Sequence, residues 1–346
     1  MYYADKIDSL KDIFGARDVR VAPGRLLVDG RAYPIVDDVI VLLPPSRCPD
    51  AVRLTLHPGA AAPGDAPAPP LAGDIQFTFG AEWQRFPRIL PEHGIEFSQY
   101  FDLVDVPGLA GRRVCDLGCG IGRWSWFLKD ACRELVLVDF SEAIFVARHN
   151  LASAPNALFF LGDLTQLPFR PDFADLVVCL GVLHHLPTCA LDEVRALGRF
   201  SPTLLVFLYY ALDNRPRSWR ALLAFVTALR LRLSRVHSAR ARSGATWALA
   251  LGVYLPLVAI GRALRPFGLD RFVPLHEFYR GKSLQRIRQD VYDRFFTRIE
   301  QRFDRNSILS LRDAFGEVAV SERPPFWHFV CRRGTAPVGA GAGGPG

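Results

Sequence analysis

The chain has only four lysines, Lys6, Lys11, Lys129 and Lys282, so its formal charge of +7 is carried almost entirely by arginine. A balance of that size is compatible with anionic lipid or nucleic acid and requires neither. A paired-cysteine signature is also lacking. The seven cysteines are odd in number, most fall in apolar strand-like runs, and none form a CxxC pair. Cys115 and Cys119 flank a glycine loop, yet no second ligand pair follows them. Buried, reduced thiols are therefore expected, with no disulfide frame and no metal site. The opening MYYADKIDSLKDIF contains acids and no apolar core, unlike a secretory signal, so the expected location is the cytoplasm. Nor is the chain poor in apolar residues: half are hydrophobic and 22% are charged, which excludes a largely disordered protein.

What is present falls into unequal parts. Residues 1–56 hold short β-like pieces, RLLVDG, RAYPIV and DDVIVLLPP, with Asp29-Gly30 as a hairpin signal. Residues 57–73 are rich in proline, alanine and glycine and read as a linker, and residues 334–346 read as a disordered tail. Between them, residues 74–333 carry the main domain. From residue 112 onward, apolar runs (RRVCDLG, ELVLVDF, ALFFLGD, ADLVVCLG, TLLVFLYY) alternate with helical periodicity. That alternation predicts an α/β fold with a mostly parallel sheet and helices on both faces.

Ligands of such sheets bind at the carboxyl ends of the strands. The first loop there reads Asp116-Leu117-Gly118-Cys119-Gly120-Ile121-Gly122. A dinucleotide fingerprint would need its third glycine at position 123, which is Arg123; the third glycine is Gly122 instead. A carboxylate beside the loop also suits the cationic end of an amino acid better than a pyrophosphate. Asp139 ends the second strand, where it can accept from both hydroxyls of a ribose. Asp163 follows the third strand, within reach of an adenine amino group, with Leu164 to pack on the ring.

The runs VCDLGCGIGRW, LVLVDFSEA, GDLTQLPF and DLVVCLGVLHHL resemble those of class I S-adenosylmethionine-dependent methyltransferases. The resemblance implies a Rossmann-like, seven-stranded sheet with S-adenosylmethionine as cofactor. It implies that Asp116, Gly118, Gly120 and Gly122 hold the methionine end and that Asp139, with Phe140, holds the ribose. Asp163 and Leu164 would take the adenine, and Leu180 and Gly181 would line the floor. Residues 1–45 resemble the zinc-ribbon-like domain linked to some of these enzymes and to tRNA methyltransferase activators. The metal cysteines of that domain are missing, so no zinc is implied.

Methyl transfer from a sulfonium needs alignment and a dry pocket more than acid or base, although an alcohol acceptor profits from a base. His184 and His185 follow the fourth strand, and His184 is the expected base. Tyr209, Tyr210 and Asp213 follow the fifth strand on the acceptor side. Trp83, Arg85 and Phe86 are candidates to cap the pocket. DVYDRFF resembles a motif near the acceptor in related enzymes, which adds Tyr292 and Arg294.

After the fifth strand the chain makes an excursion, residues 215–280, before the closing strands near EVAVSE and WHFVCRR. Residues 243–261 contain no charge and are flanked by arginines. The run is near the length of a membrane span. A single crossing, however, would strand the closing strands on the wrong side of their sheet. A helical lid over the site is therefore expected, with peripheral membrane contact through residues 215–265 as the alternative. The expected acceptor is a small or lipid-like hydrophobic molecule. Nucleic acid is disfavoured because no stacking platform is visible; an RNA methyltransferase and a non-catalytic cofactor-binding scaffold are the competing readings.

Overall fold

The computed structural model describes residues 2–56, 85–215, 217–236, 238–297 and 299–334. The expected linker at 57–73, Trp83 and all but the first residue of the expected tail lie outside them. Eleven strands form one sheet in the order β1-β2-β3-β4-β7-β6-β5-β8-β9-β11-β10. Its centre is β5 (Arg113–Leu117), β6 (Glu134–Asp139), β7 (Ala157–Leu161), β8 (Leu176–Leu180) and β9 (Thr203–Phe207), all parallel. Apart from half-buried Thr203, every residue of these five strands is buried, because helices cover both faces. Alternate side chains enter two cores. Cys115, Val136, Phe160 and Val206 meet the helices Ile7–Phe14 and Ala190–Leu197 on one face. Val114, Leu137, Phe159 and Leu205 meet Ser125–Leu128 and Ala143–Asn150 on the other.

The sheet has eleven strands where seven were expected, and only half of its pairings are parallel. The four extra strands are β1 (Val19–Ala22), β2 (Arg25–Val28), β3 (Arg31–Val36) and β4 (Val39–Val41), joined as antiparallel neighbours. Asp29 and Gly30, both at positive φ, close the second hairpin, as an Asp-Gly turn does. The N-terminal segment is thus not a unit apart. β4 pairs in parallel with β7, matching Ile40 to Phe160, and it sends Ile40 into one core and Val39 and Val41 into the other. The physical reason is the open edge of β7: its ladder groups and both faces require cover, and the wholly apolar β4 supplies it.

β10 (Glu317–Val320) and β11 (His328–Arg332) close the other edge, β11 running antiparallel to β9. Between β9 and β10 lies the insert. Its long helices are Arg217–Leu233, a continuous helix Arg240–Phe267 with a π turn at Ala250–Tyr254, and Leu284–Phe296. They build a third core from residues such as Phe86, Tyr254, Val258, Ile287 and Phe296.

Candidate functional site

A cavity of about 590 Å³ lies at the carboxyl ends of the parallel strands and runs on beneath the insert helices. Gly118, Gly120, Asp139, Phe140, Asp163, Leu164, Leu180, Gly181 and Tyr209 all line it. Among the residues expected to hold the cofactor or carry the chemistry, Asp116, Gly122, His184 and Tyr292 do not.

The glycine loop is held by its neighbours. Gly118 sits at φ 72° with its Cα against Val182, and a Cβ there would lie 2.4 Å from a Val182 methyl. Gly181, at φ 83°, has open space where a Cβ would be, so the floor of the cavity is bare backbone. Asp139 is laced to the loop. Its Oδ2 accepts from the Gly120 N–H at 2.8 Å, and its Oδ1 accepts from the Ser141 N–H at 2.8 Å and hydroxyl at 2.7 Å. Burial raises its pKa, and the Ser141 and Gly120 donors oppose that rise. A ribose hydroxyl would thus join a carboxylate that already has three protein donors, in place of the bare bidentate acceptor expected from sequence.

Asp116 corrects the expectation for the methionine end. It is 1% exposed and takes the Ser125 hydroxyl at 2.8 Å, beneath the loop and off the cavity wall. As the penultimate residue of β5, it points into the packing between strand and helix. Burial pushes its pKa up to about 7 against the Ser125 hydrogen bond, and the Asp139 charge adds to the rise.

Asp163 combines two roles. Its Oδ1 caps the turn Leu164–Gln166 by accepting from the Thr165 N–H at 2.9 Å, while Oδ2 takes Arg47 at 2.6 Å. Arg47 comes from the N-terminal segment and also lies over the Phe140 ring, 5.3 Å from its centroid. Sequence reasoning missed Arg47, since nothing local shows that the segment joins the sheet beside β7.

The paired histidines divide in the opposite sense to that expected. His184 is fully buried, its ring stacked on Tyr209 at 3.9 Å, and neither ring nitrogen has a hydrogen-bond partner among the described residues. Burial holds its pKa well below the ordinary value, so it is a neutral packing group. His185 lines the cavity. Its Nδ1 lies 2.8 Å from the Ile299 carbonyl, which can only accept, so Nδ1 carries the proton and Nε2 the lone pair. That Nε2 is 3.8 Å from Asp293, whose other oxygen accepts from the Tyr209 hydroxyl at 2.9 Å.

Tyr292 is corrected as well. It is 3% exposed and packs on Phe296, because the helix turns this residue toward the third core. Asp213 is taken up by the Trp327 indole N–H at 2.9 Å and the Arg305 N–H at 3.1 Å. Phe86 is buried in the insert core and Arg85 bonds Ser243, both off the cavity wall. Tyr210 and Arg294 do reach that wall. So do Arg286, Gln289, Asp290 and Asp293, whose spacing along one helix was readable but whose inward direction was not.

No group of three or more potential ligands able to hold a metal occurs among the described residues. The cavity suits a nucleoside with a cationic centre. It offers a backbone floor at Gly181, a buried carboxylate at Asp139 and aromatic walls from Tyr100, Phe140, Phe207 and Tyr209. Fold and site together define a Rossmann-like nucleoside-binding domain of the acidic, glycine-loop type. Residues 114–199 match the family described as a methyltransferase domain.

Among curated relatives, a ubiquinone biosynthesis O-methyltransferase from Pseudomonas aeruginosa is 30% identical over 141 residues, which is 40% of this chain and 60% of that protein. A demethylmenaquinone methyltransferase from Clavibacter sepedonicus is 36% identical over 92 residues, 26% of this chain and 38% of that one. The chain thus spans about three fifths or less of these relatives' length. A solved S-adenosylmethionine-dependent methyltransferase from Aquifex aeolicus aligns at 16% identity and a TM-score of 0.33, over 38% of this chain and 73% of that one.

Proposed function

We propose that the chain is an S-adenosylmethionine-dependent methyltransferase acting on a small hydrophobic acceptor. The observation that carries this reading is the continuity of one cavity. It runs from the glycine loop and Asp139 to apolar residues of the insert, among them Leu223, Val226, Val253 and Leu257. The two curated relatives, named for ubiquinone biosynthesis and for demethylmenaquinone, agree with a hydrophobic acceptor.

When bound, the cofactor supplies a methyl group on a sulfonium. The residues named above divide the remaining work. Asp139 and the loop backbone would hold the nucleoside, with Phe140 beside the ribose and Leu164 against the base, and the aromatic wall would steady the cation. The insert excludes water. His185 is the base once the acceptor has opened its covered Nε2, which lies 3.8 Å from Asp293; Asp293, held by the Tyr209 hydroxyl, stabilises the resulting imidazolium.

The experiment is calorimetry with S-adenosylhomocysteine, followed by labelled-methyl transfer to lipid, RNA and small-metabolite fractions of a lysate. Wild type should bind, Asp139→Ala should not, and label should enter the lipid or small-metabolite fraction. His185→Gln should retain binding and lose about 10²–10⁴-fold in transfer rate to an alcohol acceptor. Absence of binding by wild type refutes the reading, and label confined to RNA refutes the acceptor class.

A further inference from the structure

The helix Leu284–Phe296 has its polar face turned inward. Arg286, Gln289, Asp290, Asp293 and Arg294 all line the cavity, at the spacing of one helical stripe. The opposite stripe, Ile287, Val291, Tyr292 and Phe296, fills the third core. A wall facing an apolar cavity would be expected to be apolar unless something polar is recognised there.

Most of the polar groups on this stripe are already committed. Arg286 pairs with Glu96 at 3.0 Å and with Asp290, and Asp290 accepts from the Tyr279 hydroxyl at 2.9 Å. Asp293 accepts from Tyr209 at 2.9 Å. Two groups differ. Gln289 is 3% exposed and lines the cavity, yet its amide makes no hydrogen bond to a described residue. Arg294 also lines the cavity; its side chain is hydrogen-bonded to the Tyr254 hydroxyl, but among the described residues no carboxylate oxygen lies within 4.0 Å of its guanidinium. The partly buried arginines elsewhere on the wall do have such partners: Arg47 with Asp163 at 2.6 Å, Arg215 with Glu277 at 2.7 Å and Arg302 with Glu300 at 2.6 Å. Burial disfavours the Arg294 charge, but the phenol oxygens of Tyr279, Tyr254 and Tyr209 and the Asp290 carboxylate more than offset it, so the guanidinium stays charged.

We propose that Arg294 forms a subsite for an oxyanion, a carboxylate or a phosphate, at the head of an otherwise apolar acceptor. A planar guanidinium matches either group, and a desolvated site makes such charge-assisted bonds strong. The apolar body lies against Val226, Val253, Leu257 and Phe278, which line the same cavity. The inference rests on the methyltransferase reading only in calling the occupant an acceptor; the binding itself does not depend on it.

The test is calorimetric titration of the full chain with octanoate, octyl phosphate and octanol, alone and with S-adenosylhomocysteine present. At least one anion should bind about tenfold or more tightly than octanol, the scale of a hydrogen-bonded charge. Which anion binds tighter tells a carboxylate head from a phosphate head. Arg294→Gln should abolish the preference for the anion, and Arg294→Lys should retain part of it. Octanol binding as tightly as both anions overturns the proposal, as does a preference that survives in a folded Arg294→Gln protein. Should Arg294→Gln fail to fold by circular dichroism, Arg294→Lys decides, and an undiminished preference for the anion there overturns it equally. Arg294-dependent anion binding by a chain that does not bind S-adenosylhomocysteine would support the subsite and refute the methyltransferase reading.

Discussion

A buried carboxyl group is the sharpest feature at the scale of single residues. Asp116 has its pKa raised to about 7, chiefly by burial. A carboxyl whose pKa is higher folded than unfolded binds its proton more tightly in the native state, so it lowers stability as pH climbs from about 4 to about 7. Its contribution approaches, but does not exceed, about 1.4 kcal/mol per pH unit in that window. Asp116→Asn, measured by urea denaturation without cofactor, should gain on wild type in unfolding free energy between pH 4.5 and pH 7.5. A difference that stays constant across that range would show that the carboxyl is not held protonated. The same scale explains why His184, the base expected from sequence, does not line the cavity. Two adjacent histidines in a single 3₁₀ turn point in different directions, and only the packing of Tyr209 on one and the Ile299 carbonyl beside the other decides which meets the cavity.

At the scale of elements, the insert helix Arg240–Phe267 is the most unusual feature. Ala250, Tyr254 and Val258 on one face are buried against the third core. On the other face Leu251 is 50% exposed and Ile260 49%, and Phe267 at the helix end reaches 74%. Arg262, Arg265 and Arg271 stand beside this apolar row and are exposed. A single bilayer crossing is excluded by connectivity, because β9 before the insert and β11 after it are neighbours in one sheet. We propose that the row rests on an anionic lipid surface, with apolar side chains in the interface and arginines at the headgroups. Purified protein should float with anionic vesicles at low salt, and Leu251→Glu with Ile260→Glu should abolish flotation without lowering the melting temperature. Wild type that stays at the bottom of the gradient would end the idea. The insert's composition was legible because an uncharged run between arginines stands out. Which of its faces would be covered was not, since helix 284–296 is remote in sequence.

For the whole molecule, the central question is whether the N-terminal strands are an appendage. Ile40 is fully buried and paired with Phe160, so Ile40→Ala should cost about 2–5 kcal/mol, as for other large buried aliphatics. The loss should appear as a shift of a single cooperative unfolding transition that carries the whole sheet with it. A separate early transition, with the rest of the sheet unchanged, would restore the view of an independent module. Through Arg47 and its bond to Asp163, the same segment also reaches the wall of the cavity.

The sequence by itself determined the central parallel strands, the glycine loop and the acids after the second and third strands. These are local: a buried strand must be apolar, a tight turn must be glycine, and a strand's end fixes where its next side chain goes. Only the tertiary structure decided that β4 covers β7, that Asp116 lies beneath the loop, and that a helix far along the chain turns its polar stripe inward. Each of those depends on which surfaces meet across long separations in sequence, and residue order alone does not state which open edge or face a distant segment will cover.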